Sequence, residues 1–299
     1  MSLRAIDLRH LGRDGMICTY LDLEGEPTLI DPGPSTTYTR LREALAEHGL
    51  AVRDLRHVLL THVHMDHAGV AGHLAADNPD LAVHVHLDGL PHMADPTRLI
   101  ATSQEIWGAA APVLWGDMKP VAVEALRPWV PGADAPHPVR GKRAIPTPGH
   151  IGHHVSYLHE DDGTLLVGDS LGVVLSYAAP THPKCPPPAV DVEQWRSSLA
   201  DMRALGAERA AFTHFGIHAD VALRTHRLED ALGELESRVL GAVAGREAED
   251  DAASFREQTR AALSRHLSLD VVTRYLQAFD PVNDWHGMEL YVRQRASAL

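Results

Sequence analysis

The chain has 299 residues, with 27 Lys and Arg against 40 Asp and Glu, for a formal net charge of −13. Hydrophobic residues make up 44% and charged ones 22%, ordinary globular material with ample core for one large domain or two smaller ones. The acidic balance disfavours a nucleic acid as main partner. Two cysteines, Cys18 and Cys185, exclude a disulfide framework and a thiolate zinc cluster, and no stretch is long and apolar enough to span a bilayer. The opening segment, MSLRAIDLRHLGRDG, has no continuous apolar run, so no signal peptide, no membrane contact and a reducing, cytoplasmic setting are expected. Histidine stands out, at 21 against 4 Phe and 6 Tyr, which makes a metal site worth seeking.

Two apolar runs between Thr19 and Ile30, around Glu24-Gly25, predict a hairpin that ends at Asp31-Pro32-Gly33. A helix is expected over about 37–48, where Leu41, Ala44, Leu45 and His48 share a face. Val58-Leu59-Leu60 predicts a strand that stops at Thr61-His62, and a short helix should start near His67 and carry Val70 and Leu74 inward. Leu81, Val83, Val85 and Leu87 alternate with Ala82, His84 and His86, the period of a strand. Residues 90–140, rich in Pro, Gly and Trp, read as a partly helical insertion that lines or covers a pocket. Strands resume at 143–145, 155–159 and 164–168, followed by a Pro-rich loop from Pro180 to Pro188. Val192, Trp195, Leu199 and Met202 form the apolar stripe of a helix over 191–205, ended by Gly206. Ala210-Ala211-Phe212 is a last short strand. From about 219 onward the chain reads as wholly helical, with an exposed acidic link at Glu247–Asp251 and a break at Asp280-Pro281.

The chemistry concentrates in Thr61-His62-Val63-His64-Met65-Asp66-His67-Ala68-Gly69. His62 and His64 project to the same side of an extended segment, and Asp66 and His67 follow where a turn enters a helix. Zinc and similar ions accept imidazole nitrogen and carboxylate oxygen, so this one segment can serve two adjacent ions. Three other apolar strands stop at a potential ligand: Leu29-Ile30-Asp31, Leu166-Val167-Gly168-Asp169 and Ala211-Phe212-Thr213-His214. A fourth segment, Ile145-Pro146-Thr147-Pro148-Gly149-His150, delivers a histidine after a tight turn. Strand ends of layered α/β domains gather at one edge, where sites form.

In this order and spacing, His62, His64, Asp66, His67, His150, Asp169 and His214 resemble the metallo-β-lactamase superfamily, and THVHMDHAG is similar to its HxHxDH signature. The resemblance covers roughly residues 15–218. It implies an α/β fold, a four-layer αββα sandwich with the metals at one edge of the two sheets and a C-terminal all-helical extension. The division expected is 1–218 for the catalytic domain and 219–299 for the extension. It further implies two divalent metal ions, zinc first and iron or manganese as alternatives. His62, His64 and His150 would hold the first, Asp66, His67 and His214 the second, with Asp169 between them. Asp66 would also orient the attacking hydroxide, and Asp31 would support the site without being a ligand. His154, four residues after His150, is read equally as a supporting or a structural residue. His153 departs from the glycine common at that position.

The remaining candidates read as structural. His84 and His86 fit satisfied, partly buried positions, Cys185 a loop thiol, and Trp107 and Trp115 core more than a substrate platform. His92, His182 and His218 lie near the presumed mouth in sequence. With no G-x-S-x-G elbow, the activity implied is hydrolysis of an ester-like bond (thioester, ester or lactone) of a small molecule by a hydroxide that two ions activate. Alternatives are a mononuclear iron oxygenase of the sulfur dioxygenase type, a phosphodiesterase or ribonuclease, and a non-enzymatic metal-binding scaffold. The helical tail could enclose substrate or form a homodimer.

Overall fold

The computed structural model describes residues 3–130, 132, 137–175, 181–245 and 247–298. A first sheet runs β1 (Arg4–Asp7), β2 (Cys18–Asp22), β3 (Thr28–Ile30), β4 (His57–Leu59), β5 (Ala82–His86) and β6 (Leu126–Trp129), in that spatial order. The second is ordered β11 (Gly216–Ala219), β10 (Arg209–Phe212), β9 (Thr164–Gly168), β8 (Val155–His159) and β7 (Lys142–Pro146). Both sheets are mixed. β3 to β6 pair in parallel, as do β9 and β10, and the other neighbours are antiparallel.

The two sheets face each other across Cys18, Tyr20, Ile30 and Leu59 on one side and Val155, Tyr157, Leu166 and Ala211 on the other. The outer face of the first sheet is covered by α1 (Tyr38–Glu47), α3 (Ala71–Asp77) and the insertion, with α2 (Met65–Ala68) at the sheet end. The insertion holds α4 (Leu90–Ala94), α5 (Thr97–Trp107) and α6 (Ala111–Trp115). The second sheet is covered by α7 (Val192–Ala204), whose Trp195, Leu199 and Met202 are buried as the stripe requires, and by α8 (Val221–Gly245). Helices α9 (Ala248–Leu263), α10 (Leu269–Ala278) and α11 (Pro281–Ala298) follow. The tail packs into both cores. Leu228, Leu232 and Trp285 join Trp195, while Val272, Tyr275 and Phe279 join Trp115. Among the described residues no helix is long and apolar enough to cross a membrane.

Pairing brings the functional strand ends together. Ile30 pairs with Leu59, and Phe212 with Gly168, so Asp31, His62, Asp169 and His214 all leave their strands at one edge. Two main-chain bonds stitch the sheets there: Cys18 N–H to Thr213 O at 2.9 Å and Val155 N–H to Thr61 O at 2.9 Å.

The strands the sequence does not announce are β1, β6 and β11. All three are edge strands, and most of their side chains are exposed or half-buried, so none carries an apolar run. β6 also holds Pro128, which is tolerated at an edge. The alternating pattern that runs to Leu87 outlasts the strand: β5 ends at His86 and Leu87 is 48% exposed. The acidic link at Glu247–Asp251 is also corrected. It forms the first turn of α9, where acidic groups complement the helix dipole. There Asp251 accepts bonds from Arg238 and from Trp285 Nε1. Residues 176–180, including the start of the Pro-rich loop, lie outside the described residues.

Away from the strand-end edge, the sheets share a buried ion cluster. Asp22 of β2 pairs with Lys142 of β7, and His159 of β8 lies 3.4 Å from the same carboxylate. Burial pushes the Asp22 carboxyl up, but His159 and Lys142 outweigh it and hold it well below the usual range. Its stabilisation is therefore complete above the unfolded carboxylate range and is lost only as pH falls well below it. Lys142→Met leaves Asp22 buried without its cation and should cost about 3–5 kcal/mol, read as a lower urea midpoint at neutral pH.

Candidate metal centre

Asp31 organises the site. The chain leaves β3 with Asp31 at φ 49°, a left-handed conformation that Asp tolerates better than most residues. Its side chain is fully buried and takes four donors: Thr61 N–H at 2.8 Å, Thr61 Oγ1 at 2.7 Å, Thr213 Oγ1 at 3.0 Å and His67 Nδ1 at 2.8 Å. Because His67 donates through Nδ1, Nε2 is the atom that turns away from Asp31 and carries the lone pair in the neutral ring.

The same logic fixes the other rings. His150 Nδ1 donates to Lys184 O at 2.7 Å, and His214 Nδ1 to Met16 O at 3.1 Å. A carbonyl only accepts, so in the neutral form of each ring it is Nε2 that carries the lone pair. Thr61 Oγ1 gives its proton to Asp31 and accepts from His62 Nδ1 at 3.0 Å, which leaves His62 Nε2 free as well.

These lone pairs converge in two groups. His62 Nε2, His64 Nδ1 and His150 Nε2 meet, with His64 Nδ1 2.9 Å from each of the other two. Beside them lie Asp66, His67, Asp169 and His214. Within this second group, Asp66 Oδ2 is 3.3 Å from His214 Nε2 and 3.7 Å from His67 Nε2. Asp169 reaches both groups. Its Oδ1 is 3.3 Å from His67 Nε2 and 3.5 Å from His214 Nε2, and its Oδ2 is 3.4 Å from His150 Nε2.

The donor set fits divalent ions. His67 Nε2, His214 Nε2 and Asp169 Oδ1 are buried and have no hydrogen-bond partner, an arrangement that is costly unless something satisfies them. Zinc at about 2.0–2.1 Å from each of four tetrahedral ligands sets those ligands roughly 3.3 Å apart, close to the spacings seen here. Charge divides the two groups. Burial pulls His67 down, but Asp169, Asp66 and Asp31 outweigh it and hold the imidazole well above its ordinary range. In the other group, burial and neighbouring imidazoles hold His62 well below that range and bring His64 down to about 3.

The family model of the metallo-beta-lactamase superfamily matches residues 17–214. The chain belongs to this superfamily. It is 29% identical to YobT of Bacillus subtilis over 153 residues, which is 51% of this chain and 60% of that protein. It is 28% identical over 204 residues to the metallo-beta-lactamase fold-containing protein ST1585 of Sulfurisphaera tokodaii, covering 64% of this chain and 73% of that one. A third relative, the lactamase-like protein vrtG of Penicillium aethiopicum, is matched over 47% of its length, so the chain spans about half of some curated relatives. Among solved structures, the metallo-beta-lactamase family protein TTHA1429 of Thermus thermophilus superposes with a TM-score of 0.66. It covers 99% of this chain and 94% of that one at 21% identity, and so shares the superfamily fold along with the helical tail.

His154 holds the edge of the centre. Its Nε2 accepts from Asp169 N–H at 3.2 Å and its Nδ1 donates to Thr147 Oγ1 at 2.8 Å. Thr147 continues through Ser156 (3.0 Å) to Ser170 (2.9 Å). Gly149 delivers His150 with φ 144°, and a Cβ there would lie 2.4 Å from Trp195 Cα. Gly149→Ala should therefore shift His150 and cost roughly 1–3 kcal/mol, checked by thermal melting together with metal affinity.

Other expectations resolve individually. His84 is buried against His57, with ring nitrogens 3.1 Å apart, and His86 accepts from Asp88 N–H. His92 and His153 line the pocket, whereas His182 packs on Tyr275 and His218 bonds Phe215 O. Cys185 is buried, and burial pushes its thiol well up. Trp115 is 2% exposed, yet with Trp107 it also walls the pocket, so the two rings serve core and pocket at once.

Sequence reasoning missed several groups. Thr61 and Thr213 were legible as matching Thr-His pairs at two strand ends. Buried His10 stacks on Trp115 at 5.3 Å and donates through Nε2 to Leu114 O at 2.7 Å, with no motif to mark it. Phe279 packs its ring 4.7 Å from that of His214, a contact from the far end of the chain.

Proposed function

We propose that the protein is a metal-dependent hydrolase that cleaves an ester-like bond (thioester, ester or lactone) of a small molecule. The observation that carries this reading is the pair of adjacent, fully formed donor groups with the Asp169 carboxylate reaching into both. His62, His64 and His150 would hold one ion and Asp66, His67 and His214 the other, with Asp169 shared. Two divalent ions there would lower the pKa of water toward neutrality and polarise the bond under attack. Zinc suits the nitrogen and oxygen donors, as do iron and manganese.

The chain's own residues supply position. Asp31, Lys184 O and Met16 O orient three rings so that each turns its Nε2 to the centre, and the proton that the neighbouring carboxylates favour on His67 would leave as an ion binds. Asp66, with 13% of its side chain exposed, faces the pocket and is placed to orient the attacking water. The water oxygen bonds to the acyl carbon, the carbon–sulfur or carbon–oxygen bond breaks, and the leaving group takes a proton. We assign this chemistry to residues 1–218 and pocket closure to 219–299, because Phe279 and Asn283 line the cavity.

Two complete groups support a dinuclear hydrolase over an oxygenase with one iron. A cavity of about 280 Å³ suits a small substrate better than a nucleic acid. The test is turnover of a panel of thioesters, esters, lactones, β-lactams and phosphodiesters by metal-loaded protein. Hydrolysis within the first three classes is expected, abolished by chelation and restored by metal. Oxygen consumption with a single iron, or cleavage of phosphodiesters alone, would overturn the reading.

A further inference from the structure

The pocket in front of the metal centre is apolar on most of its wall, with Leu99, Ile106, Trp107, Pro187 and Phe279 among its lining. Its charges are one-sided. Apart from Asp66 and Asp169 of the centre itself, the charged side chains in the lining are Arg98 and Lys184, both cations. This occurs in a chain whose net charge is −13, where a random patch would favour carboxylates.

The two cations differ in what they already hold. Lys184 is buried, and its Nζ lies 3.3 Å from Asp284 Oδ1 of α11 and 5.1 Å from the centre of the Phe279 ring. Asp284 also accepts from Cys185 N–H at 2.8 Å, so this pair fixes the loop whose Lys184 carbonyl orients His150. Arg98, in the first turn of α5, has no ion-pair partner among the described residues. Asp95, three residues before it, is turned onto Thr97, with Oδ1 3.1 Å from the main-chain nitrogen and 2.6 Å from the hydroxyl. Arg98 is thus an exposed residue of an otherwise mostly apolar pocket lining, with its five donors uncommitted to any acid among the described residues.

We propose that the preferred substrates carry a carboxylate on a short apolar acyl body, with Arg98 taking the carboxylate while Lys184 stays committed to Asp284. The proposal rests on the hydrolase reading for the identity of the scissile bond but not for the recognition. The cavity of about 280 Å³ lies at the small end of ligand sites, so it accommodates the acyl part and leaves a large leaving group outside. An Arg–carboxylate contact is bidentate and charge-assisted, which a terminal methyl group cannot replace.

The test pairs substrates of equal length, glutaryl and valeryl thioesters of N-acetylcysteamine, on metal-loaded protein. The wild type should prefer glutaryl in kcat/KM by roughly 3- to 10-fold, between the range of a solvated ion pair and that of one charged hydrogen-bonded contact. Arg98→Gln should collapse that ratio toward one, and Arg98→Glu should invert it, whatever the absolute rates. A wild-type ratio at or below one, or a ratio unchanged in Arg98→Gln, overturns the proposal. The non-hydrolysable glutaryl and valeryl amides, titrated calorimetrically, separate the two readings. If neither these thioesters nor the matching esters and lactones are cleaved but glutaryl amide binds better in an Arg98-dependent way, the hydrolase reading fails and the recognition stands. Turnover without that preference fails the recognition alone, and absence of binding by both amides overturns it too.

Discussion

Replacing Asp66 with alanine is expected to abolish turnover while leaving the fold intact. Asp66 accepts no main-chain hydrogen bond among the described residues, and its carboxylate faces His214 Nε2 at 3.3 Å and His67 Nε2 at 3.7 Å. Its environment is built for a charge. Burial pushes the carboxyl up, but His67 and His214 outweigh it and hold it well below the usual carboxylate range. Removing it would take away a proposed donor to one ion and the group proposed to orient the attacking water. The loss in kcat/KM should exceed the roughly 10- to 100-fold typical of losing an outer hydrogen-bond partner. Circular dichroism and a melting curve close to wild type would place the defect in chemistry. Near-normal turnover with metal still bound would contradict the assignment.

Asp31→Ala should act differently, on stability and on metal binding together. Four donors lose their acceptor at once: the Thr61 N–H, the Thr61 and Thr213 hydroxyls and His67 Nδ1. Leaving such groups buried and unpaired should cost about 3 kcal/mol or more. His67 also loses the bond that fixes its tautomer, so metal affinity should fall roughly 10- to 100-fold. The weaker site should be the one formed by Asp66, His67, Asp169 and His214. A zinc titration against a chromophoric chelator checks this, and two ions retained at wild-type affinity would contradict it.

Much of the centre is legible in the sequence because its residues sit at punctuation points. His62, His64, Asp66 and His67 fall within one short segment, and Asp31, Asp169 and His214 each end an apolar run. What links them is less legible. Asp31 reads as a turn residue until Thr61, Thr213 and His67 are seen converging on it, since those contacts cross up to 182 positions. The sequence does not mark His154 as a supporting residue, because only tertiary structure brings its Nε2 to the Asp169 amide. The fold shows the same division. The stripe of α7 and the hairpin of β2 and β3 follow from local periodicity. β1, β6 and β11 are edge strands with little buried surface and leave no pattern. The closing of the pocket by Phe279 and the Lys184–Asp284 pair depends on packing of the tail, which no local signal encodes.

The central claim is that His62, His64 and His150, and Asp66, His67, Asp169 and His214, form two adjacent ion sites that together support hydrolysis. The most direct measurement is metal content by mass spectrometry alongside esterase or thioesterase activity, as chelated protein is titrated with zinc. The account predicts that activity rises with occupancy and saturates at two ions per chain, and that His150→Ala and Asp66→Ala each lower the stoichiometry toward one. Saturation at one ion in the wild type, or hydrolysis that persists in fully chelated protein, would contradict it.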